Sequence, residues 1–413
     1  MTWPLARRTA REAVKPLEAV ELALPDAVGF ALASGVRALA DQPTCDTSAM
    51  DGYAVAGPGP GPWTVAGRVA AGDPVPDTTL QSGEAFGVAT GAPVPAGSDL
   101  VIPVERCTVE GSRLVEQAQC QHSGCRHSGC QHPVPAQVGK NIRRRGEDWS
   151  AGDELVPAGS AVSPAVLGLA AGAGHDTLLV HRRPRVAVIV TGDELLHAGP
   201  PRPGRVRDAI GPMLPGLLMG ADLIGTNHVR DDPSALGDAL TTHRRVSPPA
   251  LTSATQADVL VTCGATSVGP ADHLRRVLHD LDAEILVSGV ACRPGHPMLL
   301  ATLPDGRCVV GLPGNPFAAF AAVLTLLQPL LSTLGGHAPH PPITARLTQV
   351  EAHPRDTRLV PVTRRGDNAM PVGHDRPGSL WGAALADALA VVPPGHQGGE
   401  VELISAQAGQ VPV

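Results

Sequence analysis

The sequence predicts a multidomain α/β plus β fold built around a central three-layer α/β domain. At 413 residues the chain exceeds the size at which a single hydrophobic core keeps growing. Between residues 184 and 334 short apolar strands alternate with helical patterns, which favours a layered domain with a largely parallel sheet. Short Val-rich strands separated by Gly and Pro flank this region on both sides. Several domains are therefore expected.

The N-terminal part of the chain changes pattern twice. Residues 9–40 carry apolar positions at helical spacing with Pro25 and Gly29 as interruptions, which predicts two short helices. Residues 45–140 then form short strands typical of a small β domain, and residues 164–173 return to a helical pattern. The predicted domains are an N-terminal helical/linker domain, 1–44 with 141–183, and an inserted β domain, 45–140.

The rest of the chain divides at Gly335. The predicted α/β domain, 184–334, contains strands at 185–190, 222–229, 258–262, 284–287 and 308–311, and helices at 211–220, 233–243, 271–281 and 316–331. Beyond Gly335 a Pro-rich segment precedes further short strands. The predicted C-terminal β domain, 335–413, contains strands at 346–350, 359–363, 389–392 and 401–404.

Charge and hydropathy exclude several classes of partner. The formal net charge is −7 without a long run of like charge, which argues against nucleic-acid and membrane-surface binding. The first residues lack the apolar segment of a secretory signal. The longest apolar stretch, Phe317–Leu327, is shorter than the roughly 20 residues that a membrane span needs. We expect a cytoplasmic protein with reduced thiols.

A repeat of Cys and His lies inside the predicted β domain, with thiols at Cys120, Cys125 and Cys130. Both residue types bind zinc, but the C-x4-C-x4-C spacing differs from that of structural zinc sites. We favour an expanded surface loop, and a metal-sensing or storage role is the alternative.

Carboxylates follow the first strand of the α/β domain. Ligands of open α/β sheets collect beyond the carboxyl ends of the strands, so Asp193 and Glu194 are expected at a crevice. The segments 231–232, 262–272 and 311–316 are expected at the same edge. Carboxylates beside an anion-binding loop repel the ligand unless a divalent cation neutralises them, and oxygen ligands favour Mg²⁺.

Two of these segments have the composition of phosphate or oxyanion cradles. Hydroxyls, glycines and backbone N–H groups in 262–272 suit an anion at a helix N-terminus, and Pro316 fits the first turn of the helix that follows 311–316. Structural alternatives exist for several of these residues. They are helix capping by Asp193, Asp232 or Asp272, and a turn role alone for Gly311 and Gly314.

Six motifs in order carry a resemblance that spans nearly the whole chain. They are Ser48–Ala54, Thr90–Pro95, Asn141–Asp148, Thr191–Leu195, Ser267–Asp272 and Gly311–Pro316. In this combination the chain resembles the MoeA family, the molybdopterin molybdenumtransferases.

The resemblance implies a homodimer of four-domain subunits in which the α/β domain has the molybdopterin-binding fold. It implies a transferase whose substrates are adenylylated molybdopterin and molybdate. Hydrolysis of the adenylate with Mg²⁺ releases AMP and leaves molybdenum bound to the dithiolene, as molybdenum cofactor. A MogA-type adenylyltransferase would act upstream as a partner.

The resemblance also implies the site residues. The catalytic residues and Mg²⁺ ligands would be Asp51, Glu194 and Asp272. The substrate-binding residues would be Thr90, Asp208, Asp231, Ser267, Arg293, His296, Pro313 and Pro316. Arg358 and Ser379 lie roughly where the family has oxyanion contacts. A plain Asp-Gly turn is the alternative for Asp51.

The chain departs from the family pattern around the expected oxyanion pocket. Arg293 and His296 replace two lysines, and Ala318 lies where a serine is common. Arginine presents a planar fork, and histidine is charged only part of the time near neutral pH. The segments Asp208–Ile210 and Gly264–Ser267 also differ from the family. A non-catalytic molybdopterin-binding or scaffolding paralogue is therefore the alternative function.

Overall fold

The computed structural model describes residues 1–57, 59, 61–117, 137–218, 220–241, 257–266, 273–347 and 350–406. The chain forms two compact units. The first unit comprises Met1–Ser34, Ala158–Pro164 and Thr177–Val413, and the second comprises Gly35–Pro157 and Ala165–Asp176. The first unit contains both the α/β region and the C-terminal strands, so the four-domain division stays a prediction.

The described residues form helices and strands along the whole chain. The helices are α1 (Trp3–Glu12), α2 (Pro164–Gly172), α3 (Leu214–Leu217), α4 (Pro233–Thr241), α5 (Leu274–Asp280), α6 (Pro316–Ala322), α7 (Gln328–Leu334) and α8 (Trp381–Leu385). The strands up to residue 181 are β1 (Ala19–Ala23), β2 (Ala31–Leu32), β3 (Val36–Arg37), β4 (Thr47–Ser48), β5 (Gly52–Val55), β6 (Trp63–Val69), β7 (Glu84–Val88), β8 (Leu100–Pro103), β9 (Cys107–Glu110), β10 (Arg113–Glu116), β11 (Ile142–Arg143), β12 (Glu154–Val156) and β13 (Thr177–His181). The later strands are β14 (Arg185–Thr191), β15 (Leu195–Leu196), β16 (Val206–Arg207), β17 (Asp222–Val229), β18 (Val259–Cys263), β19 (Glu284–Ser288), β20 (Cys292–Arg293), β21 (Leu299–Thr302), β22 (Cys308–Leu312), β23 (Ile343–Leu347), β24 (Thr357–Arg365), β25 (Asn368–Pro371), β26 (Ala388–Val392) and β27 (Gly399–Ser405).

The α/β region of the first unit is a sheet with helices on both faces. The strand order is β17-β14-β18-β22-β21-β19. The first four strands are parallel, and β21 runs antiparallel to both of its neighbours, β22 and β19. Every residue of β18 and β22 is buried, as expected for parallel strands covered on both faces. Leucines of α4 and α5 pack on one face, while α1 and the helices from residue 316 pack on the other. The predicted three-layer α/β domain is confirmed.

One helical stretch, from Pro316 to Leu334, forms the centre of this core. It covers 19 residues with a mean hydropathy of 1.8, so it has the length and composition of a membrane span, contrary to the sequence estimate. However, 83% of its apolar stretch is buried within the fold. This burial is expected of a core helix, because a helix that is apolar all round must be covered by protein or lipid.

A π-helical turn, Val323–Leu327, interrupts this stretch just before Pro329. Gln328 N donates to Val323 O, and Pro329 has no N–H, so the Leu324 carbonyl lacks a donor from its own helix. Arg7 Nη1 of α1 donates to Leu324 O at 2.7 Å. Burial lowers the pKa of the Arg7 guanidinium to about 10.

The C-terminal strands close on themselves. β24 pairs with β25 and β26, and the chain of pairings β25-β23-β27-β26 completes a five-stranded ring. Its interior is filled mainly by Ala, Val and Leu, which suits the narrow space inside so few strands. β20, from the α/β region, adds to this ring by pairing in parallel with β24.

The second unit is built on a six-stranded sheet of order β8-β5-β7-β6-β10-β9. The Val-rich pattern predicts strands at 63–69, 85–89, 100–104 and 113–115, which match β6, β7, β8 and β10, whereas β5 and β9 were not predicted. In the first unit, β1, β13 and β2 form a three-stranded sheet. The first predicted N-terminal helix is misplaced, since α1 ends at Glu12 and β1 begins at Ala19. The second is wrong, because Ala31 and Leu32 pair with His181 and Val180 of β13. Pairing with a strand so distant in sequence overrides the local helical spacing.

Candidate active site

The carboxyl edge of the α/β sheet opens onto a cavity of about 880 Å³, here named the acidic cavity. Its walls come from the ends of β14, β18 and β22 and the loops that follow them. Five predicted site residues lie in this wall: Glu194, Asp208, Asp231, Pro313 and Pro316. The expectation that distant segments meet at this edge is therefore met by the structure.

The carboxylates of the acidic cavity differ in how they are engaged. Glu194 is exposed, and within the described part of the chain its carboxylate has neither a hydrogen bond nor an ion pair. Asp231 Oδ2 accepts a hydrogen bond from Asp193 N at 3.2 Å, which fixes the turn after β14. Asp232 Oδ2 accepts from Ala235 N at 2.9 Å and so caps α4, as its structural alternative predicted.

Asp208 is buried and holds its own loop. Its Oδ1 accepts from Ile210 N at 3.0 Å and from Gly211 N at 2.9 Å, at the start of the turn that leads into α3. The residue was predicted to bind substrate, and the structure gives one of its two carboxylate oxygens a backbone role. Oδ2 has no hydrogen-bond partner among the described residues.

The loop after β18 has an unusual backbone. Gly264 has a φ of +95° and Ala265 a φ of +56°, a region that residues with a Cβ rarely adopt. Gly264 N donates to Leu312 O at 2.9 Å, and Thr191 Oγ1 donates to Cys263 O at 3.3 Å. These bonds connect the ends of three neighbouring strands. Ser267 and Asp272, further along this loop, lie outside the described residues, as does the Cys/His repeat.

Two features of the loop after β22 bear on its predicted role. Gly311 lies within the buried strand, and a Cβ there would come within 2.7 Å of Leu274, so packing rather than a turn requires glycine. Phe317 N and Ala318 N donate to Pro377 O at 2.9 and 3.3 Å. These two amides at the start of α6 are therefore already bonded, and the anion cradle at 311–316 stays a prediction.

Asn315 is the polar side chain at the start of α6. It occupies the N-cap position of α6, but its side chain makes no capping hydrogen bond. The residue is exposed and lines the acidic cavity and the neighbouring one. An amide offers both a donor and an acceptor to a ligand. Asn315 belongs to the Gly311–Pro316 motif, but only the structure distinguishes it from the prolines beside it.

A second cavity of about 740 Å³, here named the basic cavity, adjoins the first. Pro297, Pro313 and Asn315 line both cavities. The basic cavity is named for the cationic side chains of the predicted oxyanion pocket, Arg293, His296 and Arg358. It is also lined by Ala318 and by three carboxylates, Glu351, Asp356 and Asp375. The predicted residues therefore divide into an acidic and a basic group separated by shared walls.

Two arginines of the basic cavity lie side by side because Arg293 of β20 is in register with Arg358 of β24. Like charges on neighbouring strands repel each other. This repulsion is offset because each arginine forms an ion pair with a carboxylate. Arg293 Nε lies 2.7 Å from Asp356 Oδ2, and Arg358 Nη2 lies 2.5 Å from Asp375 Oδ2. The hydrogen bond from Arg293 lowers the pKa of the Asp356 carboxyl. Neither Asp356 nor Asp375 was predicted from the sequence.

His296 is held by a hydrogen bond between its Nδ1 and Val290 O at 2.8 Å. A carbonyl only accepts, so Nδ1 carries the proton. In the neutral ring Nε2 then presents a lone pair, which does not attract an oxyanion. His296 therefore contributes positive charge to the basic cavity only when it is protonated.

Asp51 and Thr90 belong to the second unit, where they contact each other. Asp51 Oδ1 accepts from Thr90 N at 2.7 Å and from Thr90 Oγ1 at 3.2 Å. Both residues are exposed. Asp51 therefore does more than form an Asp-Gly turn, since it ties two motifs of the second unit together.

The chain matches two protein families. Residues 1–174 match the MoeA N-terminal region (domain I and II), and residues 187–333 match a probable molybdopterin binding domain. A molybdopterin molybdenumtransferase from Nostoc sp. is 32% identical over 323 residues, covering 75% of this chain and 68% of the relative. One from Synechococcus elongatus is 33% identical over 313 residues, covering 73% and 72%. A crystal structure of a MoeA protein from Pyrococcus horikoshii superposes with a TM-score of 0.75 at 25% identity, covering 99% of both chains.

Proposed function

The chain belongs to the MoeA family of molybdopterin molybdenumtransferases, and we propose that it transfers molybdenum from molybdate to adenylylated molybdopterin, releasing AMP. The product is molybdenum cofactor, and the enzyme class is that of a transferase. The reaction brings a nucleotide-pterin phosphate and an oxyanion together, and it needs a hydrolytic step at the phosphate.

The observation that carries this proposal is the pair of adjoining cavities that offer different charged groups, carboxylates with free oxygens in one and two arginines paired with carboxylates in the other. A carboxylate-lined cavity suits a cation and the phosphate that the cation neutralises, while a cavity with two arginines suits molybdate. Because Asn315 and Pro313 line both, ligands in the two cavities would be close neighbours. This arrangement supports transfer between two bound substrates.

The donor set of the acidic cavity fits Mg²⁺. The Glu194 carboxylate has no protein partner within the described residues, and Asp231 engages one oxygen with a single backbone amide. Hard oxygen ligands of this kind are those that Mg²⁺ binds, with Asp51 and Asp272 as further predicted ligands. When bound, the ion would supply charge neutralisation at the adenylate phosphate.

The protein side chains would supply the rest of the chemistry. Glu194 would accept a proton from the water that attacks the phosphate, since it is the carboxylate left unengaged. Asn315 would orient the ligands where the cavities meet. Cys263, although it lines the acidic cavity, is excluded as a nucleophile because burial raises the pKa of its thiol far above neutral pH.

Several finer points stay predictions. They are the homodimer, the contribution of Asp51, Thr90, Ser267 and Asp272 to the cleft, the upstream MogA-type partner, the lack of nucleic-acid and membrane partners, and the cytoplasmic location. Family membership supports the first three of these.

The test is reconstitution with purified protein. Incubation with adenylylated molybdopterin, Mg²⁺ and molybdate should release AMP and activate a molybdenum-dependent apoenzyme, and omission of molybdate should prevent activation. Release of AMP should stop when EDTA removes Mg²⁺. A protein that binds the pterin nucleotide tightly but releases no AMP would contradict the proposal.

The alternative is a molybdopterin-binding scaffold without insertion activity. Two observations favour it: both arginines of the basic cavity are already paired with carboxylates, and Ala318 offers no hydroxyl. The scaffold predicts pterin binding that molybdate does not affect. The reconstitution assay therefore separates the two functions.

A further inference from the structure

Two histidines and an aspartate meet beside the acidic cavity, outside the set of residues that the proposed reaction uses for Mg²⁺. His197 follows β15, Asp208 follows β16, and His228 lies on the edge strand β17. One potential ligand atom from each of the three lies within 4.8 Å of the others. Three separate elements of the first unit thus converge on one point.

Each of the three side chains has an atom that can bind a ligand. Asp208 Oδ1 is engaged by two backbone amides, which fixes the carboxylate and leaves Oδ2 without a described partner. Neither imidazole makes a hydrogen bond within the part of the chain that the structure describes. The two rings contact each other, with centroids 3.9 Å apart and an angle of 61° between their planes.

We propose that His197, Asp208 and His228 bind a divalent transition metal ion of the zinc type. Two imidazole nitrogens and one carboxylate oxygen are a frequent ligand set for zinc, with a fourth position left for water. Imidazole ligands favour such ions over Mg²⁺, which distinguishes this site from the carboxylates at Glu194 and Asp231. Ordering of a ligating carboxylate by amides, as at Asp208, is a common feature of metal sites.

The geometry of the three side chains supports the site. Ligand atoms around a tetrahedral zinc lie roughly 3.3 Å apart when its bonds are about 2.0–2.1 Å long. Both imidazoles are exposed, so small side-chain rotations can shorten the observed separations.

A bound ion would join three parts of the cavity wall. It would connect the edge strand β17 to the β15–β16 pair and to the loop that Asp208 caps. Because Asp208 lines the acidic cavity, the ion would stiffen the wall on which the pterin nucleotide is proposed to lie. The site does not depend on that function, since it rests on the three side chains alone.

The test is a Zn²⁺ titration of the full chain against a chromophoric chelator. The thiols of Cys120, Cys125 and Cys130 would also bind Zn²⁺, so the parent protein carries serine at all three positions. We expect one tight equivalent in this parent, and roughly tenfold or greater weakening in both His197→Ala and His228→Ala. His279→Ala, which removes an imidazole with an exposed side chain on α5, should bind like the parent.

A second measurement covers loss of folding. In EDTA the two variants should unfold at the same temperature as the parent, and added Zn²⁺ should raise the melting temperature of the parent and of His279→Ala only. Unchanged Zn²⁺ affinity in both histidine variants, or no tight equivalent in the parent, would overturn the proposal. Because no pterin is present, these results are independent of the molybdenum-insertion assay.

Discussion

The two adjoining cavities differ in whether their charged groups are already satisfied. In the acidic cavity Glu194 has no described partner, whereas in the basic cavity Arg293 and Arg358 each face a carboxylate. A cation can therefore enter the first without displacing a protein contact. An oxyanion entering the second must share or replace the ion pairs of two arginines. We infer that the acidic cavity provides most of the catalytic effect and that the basic cavity limits oxyanion affinity.

The largest effect is expected from Glu194→Gln. The substitution keeps the size of the side chain and removes both the charge and the proton acceptor, so AMP release should fall by about 100-fold or more. The measurement is the rate of AMP release at saturating Mg²⁺. Glu284→Gln, another exposed glutamate of the α/β region, is the matched control and should be unchanged. A rate of AMP release within about threefold of the parent rate would show that Glu194 is not the proton acceptor.

Arg358→Met should weaken the binding of tungstate, used as a molybdate analogue, by roughly ten- to a hundredfold. A charged hydrogen bond contributes about 1.5–3 kcal/mol, and Asp375 would lose its partner and repel the anion. Isothermal titration gives the affinity. Arg346→Met removes an exposed arginine of the same ring of strands and serves as the control. Equal tungstate affinity in the two variants would show that the oxyanion binds elsewhere.

His296→Lys should tighten tungstate binding roughly fivefold at pH 7.5, because a lysine is charged where the neutral imidazole presents a lone pair. Isothermal titration gives the tungstate affinity. His279→Lys, which adds the same charge at an exposed position of α5, is the control and should bind tungstate like the parent. An equal gain in the control would show that the added charge does not act inside the basic cavity.

Asp356→Asn should raise tungstate affinity by about two- to threefold. The substitution removes the ion-pair partner of Arg293. The expected gain is small because 64% of the Arg293 side chain is accessible and exposed ion pairs are weak. Asp305→Asn, which breaks an arginine pair away from both cavities, is the control. If affinity falls instead, Asp356 orients Arg293 for the ligand rather than competing with it.

The smallest expected effect concerns stability. Arg293 lowers the pKa of Asp356, so the pair stabilises the folded state above the ordinary pKa range of aspartate, and this contribution is lost as the pH falls through the folded-state pKa. The difference in urea midpoint between the parent and Asp356→Asn should thus be constant from about pH 7 to 5 and shrink below about pH 4. A difference that grows at low pH would contradict the ion pair.

The sheet and its edge could be predicted from the sequence because a buried parallel strand such as 185–191 has a distinctive apolar run. The roles of the carboxylates could not. Asp232 caps a helix and Glu194 remains unengaged, and that difference depends on which amide each meets in the fold. The bonds of the first α6 amides could not be predicted either, because their acceptor, Pro377 O, lies some sixty residues later in the chain. Likewise β2 forms only because β13 lies beside it.

The pairing of β20 with β24 bears on how relatives of this protein can be recombined. β20 precedes α6 in the chain but belongs to the ring of C-terminal strands, and it aligns Arg293 with Arg358. A chimera that exchanges residues 335–413 alone would replace Arg358 and keep Arg293. The two strands that align these arginines would then come from different proteins. The C-terminal ring therefore cannot be exchanged by itself with retention of function. A functional chimera must also include Cys292 and Arg293 of β20.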